Sequence, residues 1–225
     1  SVPPMTTKSE ATREVLVETA LRLFRERGYE KTTMRLIATE AGVSQGNAYY
    51  YFDGKDAFVQ ELYRRIQVEH RRLAEPRLRE GAPLAQNLRV LWEAGIEVNA
   101  PYHDFGSTML HVALRPGAGV SPFSAESASP RDEAIALVRH VLAISSEVPR
   151  GRLGEQLPVL LWTAYLGVVL HWAVDDSPGL QRTQTLVEGA PPIVGKLLSL
   201  ARLPFARGVT GDLTDLIARL SKEQK

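Results

Sequence analysis

The sequence predicts an all-α protein, with a three-helix helix-turn-helix unit at residues 9–53 and a larger helical body at residues 54–222. Three observations carry this reading. Apolar residues recur at steps of three and four along most of the 225-residue chain, the spacing that lines one face of a helix. No stretch of useful length alternates apolar and polar residues as a half-buried strand does. A tight break at Gly42 separates two short helical segments, and the second holds three consecutive tyrosines, Tyr49, Tyr50 and Tyr51.

Residues 10–27 read as an amphipathic first helix. Val15, Ala20, Leu23 and Phe24 share a face, Leu16 and Leu21 widen it, and Gly28 offers a C-terminal cap. Thr32 or Thr33 caps a second helix that runs through Glu40 with Leu36 and Ile37 inward. Ser44 caps the third helix, and Asp53 or Gly54 opens a fourth that carries Phe58, Leu62, Tyr63 and Ile66 toward Pro76. Two helices joined by so short a turn form a helix-turn-helix, whose second member lies in the major groove when the motif reads DNA. Three short packed helices with no DNA role would share the same pattern.

Further helices are expected at 84–99, 102–114, 130–147, 154–175, 180–200 and 211–222. Residues 115–129 (RPGAGVSPFSAESAS) are rich in Gly, Pro and Ser and predict a mobile loop. Residues 159–174 form the most apolar run. It falls short of the roughly 20 residues that cross a bilayer and lacks a flanking basic cluster, so no membrane partner is expected. A segment apolar on nearly every face is buried all round or buried between subunits.

Composition narrows the function. With 44% hydrophobic and 24% charged residues the chain can build a folded core, and without cysteine it has no disulfide framework, thiolate metal site or thiol nucleophile. The first ten residues, SVPPMTTKSE, lack the basic and apolar segments of a secretory leader, which fits a cytoplasmic location. Net charge is +1; residues 1–75 contribute 12 Lys/Arg against 11 Asp/Glu, again +1. That balance excludes a polybasic nucleic-acid coat more firmly than a specific regulator, whose attraction depends on where its charges sit.

The spacing Ala20–Leu21–x–Leu23–Phe24–x–x–x–Gly28–Tyr29–x–x–Thr32–Thr33 continues as Ile37–Ala38–x–x–Ala41–Gly42–Val43–Ser44–x–Gly46–x–x–Tyr49–x–Tyr51–Phe52. This closely resembles the TetR family of bacterial transcriptional regulators over residues 10–63. The resemblance implies a DNA-binding head on a divergent body that binds a small effector and dimerises. Physically, Gly42 permits the tight turn, Val43 fills the wedge between the second and third helices, and Ala38 and Ala41 are small where they cross. The expected DNA-facing residues are Thr33, Arg35, Ser44, Gln45, Gly46, Asn47, Tyr49, Tyr50 and Lys55. Gln45 and Asn47 carry amides that can address adenine edges or phosphates. Thr33 and Lys55 stand at helix starts, where free amides and the dipole favour phosphate. Tyr49 matches the family's DNA-facing aromatic, Tyr50 is balanced between DNA contact and packing, and Tyr51 and Phe52 are expected inward. Gln45, Asn47 and Ala48 depart from the residues the family often carries there, which bears on operator sequence.

For the body, the resemblance implies an effector site coupled to the spacing of two heads. Its candidate lining is Trp92, Asn99, Tyr102, His103, Phe105, Met109, His111, Trp162, Tyr165, His171 and Trp172, aromatics with a few polar groups that suit a mostly apolar ligand. Ordinary core packing is the bland reading of each taken singly. Leu157, Leu161, Leu166, Val169, Leu186, Ile193 and Leu197 are the candidate dimer face, two helices meeting two across a twofold axis. Metal sites could be imagined at His103, Asp104 and His111 or at His171, Asp175 and Asp176, but neither has a ligand signature, so no metal or cofactor is expected. No enzyme is expected either: there is no phosphate loop, nucleophile elbow or convincing acid pair. The expectation is therefore a homodimeric repressor on a palindromic double-stranded operator, released by a small effector. The alternatives are a helical interaction scaffold and a DNA-binding regulator without an effector.

Overall fold

A computed structural model describes residues 8–201. The chain divides into two compact units, one of residues up to Ile66 with Pro101–Arg131, the other of Gln67–Ala100 with the chain from Asp132 onward. No strand forms among the described residues. The expected helix over residues 211–222 lies outside them. This division differs from the expected boundary at residue 53, because three turns of the fourth helix and the whole sixth helix pack with the first three.

In the first unit, α1 (Lys8–Arg27) and α2 (Met34–Glu40) are followed by α3 (Gln45–Tyr51) and the start of α4 (Lys55–Ala74). Leu16, Val17, Ala20, Leu21, Leu23 and Phe24 form the buried face of α1. Val15, expected inward, is instead 48% exposed; the stripe is phased on Leu16 and Val17, which occupy the neighbouring sector of the helix. Gly28, at φ +82°, ends α1, with its N–H on the Phe24 carbonyl at 3.0 Å. Only glycine adopts that conformation without steric cost. Thr33 caps α2 by accepting from the Leu36 N–H, and Ser44 caps α3 by accepting from the Asn47 N–H. Gly42, at φ +70°, makes the turn between them.

α4 is fastened to α1 by charge. Glu61 is 5% exposed and receives Arg13, Arg64 and Arg65 at 2.9, 2.7 and 3.0 Å, while Arg65 also reaches Glu14 and Glu18. Burial alone would push the Glu61 carboxyl up; the hydrogen bonds from Arg64, Arg13 and Arg65 outweigh it and hold the group far below the carboxylate range. We expect Glu61→Gln to destabilise the protein by about 2–3 kcal/mol, less than a fully enclosed pair because the arginines keep one face in water. A carboxyl with a lowered folded pKa stabilises above its ordinary value of 4.5 and loses that contribution as pH falls below it. Chemical denaturation of both proteins between pH 3 and 7 tests this: the gap must shrink toward pH 3.

α6 (His103–Ala113) lays Phe105, Met109 and Val112 into the same core, with Phe105 stacked on Phe24 at 6.3 Å. The following segment is not the mobile loop expected of residues 115–129. Val120 is 1% exposed within this core. The Tyr63 hydroxyl donates to the Val120 carbonyl at 3.0 Å, and Gln60 donates to the Gly119 carbonyl at 2.8 Å and the Ser127 hydroxyl at 2.9 Å. Arg131 caps two further carbonyls, of Pro122 and Ser124. Tertiary contacts thus fix a composition that reads locally as flexible.

In the second unit, α5 (Leu84–Asn99) packs against α8 (Gly151–Ala173) and α9 (Gln181–Ala201), with α7 (Ala128–Ile144) contributing Leu137, Val138 and Val141 to the core. α8 has 23 residues, longer than the apolar run implied, because Gly151 to Pro158 extend it. By length and composition it could cross a bilayer, although such a helix also serves as a soluble core helix. Asp175, buried at the end of α8, accepts the N–H and hydroxyl of both Ser177 and Thr183 and so sets the turn into α9. Those bonds hold its carboxyl well below the usual range.

Candidate functional site

α3 presents two unlike faces. Ala48 and Phe52 are fully or nearly buried, and the Phe52 ring packs tilted against Phe58 with centroids 4.1 Å apart. Gln45, Gly46, Asn47, Tyr49 and Tyr50 are exposed, Tyr50 to 80%. Tyr51 is half-buried, its hydroxyl 3.1 Å from that of Ser9 and its ring edge-on to Tyr50 at 5.1 Å. The three tyrosines therefore divide into two outward groups and one that ties α3 to α1. Val43, Ala38 and Ala41 fill the crossing with α2.

The free face carries amides and phenols and no charged side chain. Such groups donate and accept in the pattern that base edges require, while phosphate attraction must come from outside the helix. Exposed Arg35 and the Thr33 and Ser44 caps stand at the helix starts beside it. Lys55 is placed differently from expectation. Its ammonium donates to the Tyr29 carbonyl at 2.9 Å and sits 4.1 Å over the Tyr29 ring. The Tyr29 hydroxyl in turn donates to Asp56, whose carboxyl is raised by burial and by Glu126. Lys55 here fastens the end of α1 to the start of α4, and a phosphate would have to compete for it.

Position 46 has open space where a side chain would stand. Gly46→Leu should leave thermal stability unchanged or slightly raised, since a helical glycine costs about 0.5–1 kcal/mol relative to alanine. It should weaken DNA binding about tenfold or more by holding base edges off the helix. Thermal melts and fluorescence anisotropy on one preparation read both effects; a lowered melting temperature with unchanged affinity would refute the assignment.

The expected effector residues separate into two groups. Tyr102, Phe105 and Met109 belong to the core of the first unit, where α6 meets α1, and His111 lies exposed with Nδ1 donating to the Ser107 carbonyl at 2.7 Å. His103 is half-buried in the same unit. Tyr102, Phe105 and Met109 are thus engaged in the core of the first unit. Trp92, Asn99, Trp162, Tyr165, His171 and Trp172 lie in the second unit. There Asn99 donates to the Gly95 carbonyl at 2.7 Å and lies 3.4 Å from the Tyr165 hydroxyl. His70, not anticipated, joins them: it is 4% exposed, with its ring 5.5 Å from Tyr165 and Nε2 2.7 Å from the Leu91 carbonyl. It continues the four-residue step of Phe58, Leu62 and Ile66, which was the available signal. Among the described residues, no group of three or more metal-ligating side chains forms.

The candidate dimer residues also divide. Leu157 and Leu161 are 1% and 4% exposed and serve the chain's own core, which they share with side chains of α5 and α7. Leu166 and Leu186 are half-buried against that core, and Val169 is half-buried. Ile193 and Leu197 are each 59% exposed. With Leu200 they line α9, while Val159, Leu170 and Val174 line an outer face of α8.

A family model described as bacterial regulatory proteins, tetR family, matches residues 16–62, and a second, described as tetracyclin repressor-like, C-terminal domain, matches residues 87–215. The HTH-type transcriptional repressor KstR2 of Rhodococcus jostii is 44% identical over 52 residues, which is 23% of this chain and 26% of the relative. The HTH-type transcriptional regulator TtgR of Pseudomonas putida is 41% identical over 70 residues, 30% of this chain and 33% of the relative. These matches span only about a quarter to a third of those relatives. The fold extends further: a TetR transcriptional regulator from Nitrosomonas europaea superposes with TM-score 0.60 at 18% identity, covering 80% of this chain and 96% of that one. A SmeT–triclosan complex superposes with TM-score 0.57 at 18% identity, covering 82% and 91%. With both its head and more than half its length matched by the two family models, the chain belongs to the TetR family of bacterial regulatory proteins.

Proposed function

We propose that the chain is a sequence-specific transcriptional repressor of the bacterial cytoplasm. It binds a palindromic operator as a homodimer and is released by a small, mostly apolar effector. The observation that carries the DNA half is the free face of α3, where Gln45, Asn47, Tyr49 and Tyr50 are exposed while Ala48 and Phe52 anchor the helix from behind. The family models support it. Two such faces on a twofold axis, about 34–36 Å apart, would enter successive turns of the major groove. An effector that prefers another arrangement of the body spoils that separation only through differential affinity for the two states. Among the similar solved structures, a triclosan complex supports an apolar effector.

The test is a footprint of the purified protein on DNA upstream of its own gene at moderate salt. Protection of a palindromic site, weakened as salt rises, is the expected result. Equal binding to unrelated DNA would leave only a non-specific head.

A further inference from the structure

The second unit holds polar groups that its own folding leaves available. Trp92 is 2% exposed, and its Nε1–H has no hydrogen-bond partner. Buried donors are rarely left so, because the desolvation is uncompensated. Trp92, Gly95 and Asn99 follow one another along a single face of α5, at steps of three and four. Gly95 makes room for Tyr165: a Cβ at that position would collide with the tyrosine hydroxyl.

The hydrogen-bond directions can be assigned from chemistry. An amide nitrogen only donates, so at 3.4 Å from Asn99 Nδ2 the Tyr165 oxygen accepts and its own O–H stays free to donate. A carbonyl only accepts, so Nε2 of His70 carries the proton that meets the Leu91 carbonyl. The neutral ring then offers Nδ1 as an acceptor, and burial lowers the imidazole pKa, which keeps the ring uncharged. α5 and α8 thus offer two donors, Trp92 Nε1–H and Tyr165 O–H, in a core that also holds Leu88, Leu91 and Trp162. None of these residues supplies a positive charge. The arginines of α4 and α5 in this unit, and Arg77 in the turn after α4, point their guanidinium groups to carboxylates on the surface, Arg71 to Glu75, Arg72 to Glu69, Arg77 to Glu97 and Arg89 to Glu93.

We propose that the ligand recognised here is a neutral aromatic molecule with a hydrogen-bond-accepting oxygen, an aryl ketone or ether, held by Trp92 and Tyr165. Carboxylates and phosphates of the same shape are rejected. Flat rings suit the surrounding indole and phenol faces. An anion would lose its hydration with no cation to replace it, which is the costly case for a buried charge. The identification of the ligand as an effector rests on the regulator reading given above.

The experiment uses the full chain and a matched pair of probes, 4-methoxyacetophenone and 4-methoxybenzoate, titrated calorimetrically at pH 7. The ketone should bind about tenfold or more tightly than the anion, because both accept from the same donors and only the anion carries a charge that loses its hydration uncompensated. Trp92→Phe should weaken the ketone about tenfold, and Tyr165→Phe, which removes one oxygen, serves as a second variant if the first does not fold. Absence of ketone binding, equal affinity for the anion, or full ketone affinity in Tyr165→Phe overturns the proposal. Operator binding is read in parallel. A ketone that binds without changing operator affinity supports the chemistry of the cluster and overturns the effector reading of the body.

Discussion

Replacing both Ile193 and Leu197 with glutamate is expected to leave a folded monomer whose operator affinity has fallen about 10²–10⁴-fold, the gain lost when two linked binding heads are separated. Both side chains are 59% exposed on α9, in register with Leu200 at 51%. The neighbouring α8 shows Val159, Leu170 and Val174 at 40%, 44% and 58%. Apolar exposure along one face of α9 is what supports a dimer contact there. Solvent-facing substitutions away from caps and cores shift stability by only about 0.5 kcal/mol, so the fold should survive while like charges meet across the proposed twofold axis. The contrast is Leu157→Glu, which buries a carboxylate at a position 1% exposed and should prevent folding. Sedimentation equilibrium gives the mass and anisotropy the affinity. A glutamate variant that remains dimeric places the interface elsewhere, and one that is monomeric yet binds at full affinity removes the need for two heads.

The same residues show what local sequence could and could not determine. The helix-turn-helix was legible because its determinants are short-range: Thr33 and Ser44 cap within three residues, Gly42 turns the chain, and Ala48 and Phe52 share a face four residues apart. The apolar face of α8 was not, because nearly every position from 159 to 170 is apolar and no polar face fixes the phase. Leu161 and Leu170 look alike until the neighbours are known; one is 4% and the other 44% exposed. For the segment after α6, Gly, Pro and Ser describe the backbone's freedom, whereas its order comes from Tyr63 and Gln60, some sixty residues earlier. The burial that gives Val120 its place also pushes the Tyr63 hydroxyl pKa up to about 12. Residue type alone cannot say that α6 joins the core of the first unit. Phe105 and Trp92 are equally good ligand neighbours in composition, and only packing separates them.

The recognition helix gives the second large effect. Asn47→Ala should keep the melting temperature, because its side chain is exposed and the cap uses its backbone N–H on Ser44. A bidentate amide on an adenine edge is worth about 1–3 kcal/mol of discrimination. The variant should therefore lose about 10–100-fold on the operator and tolerate any base at one position of each half-site. Tyr49→Ala, at 45% exposure on the same helix, should weaken binding comparably. Arg35→Ala should differ in kind, lowering affinity across sequences and flattening the salt dependence by about one counterion per head. The distinction follows from α3 itself: it carries no charge, so removing its contacts changes which sequence is preferred and leaves the salt slope alone. Binding measured over operator variants at two salt concentrations separates the two. An unchanged base preference in Asn47→Ala would move sequence reading to Gln45 and the tyrosines, and a changed salt slope would make Asn47 a phosphate contact.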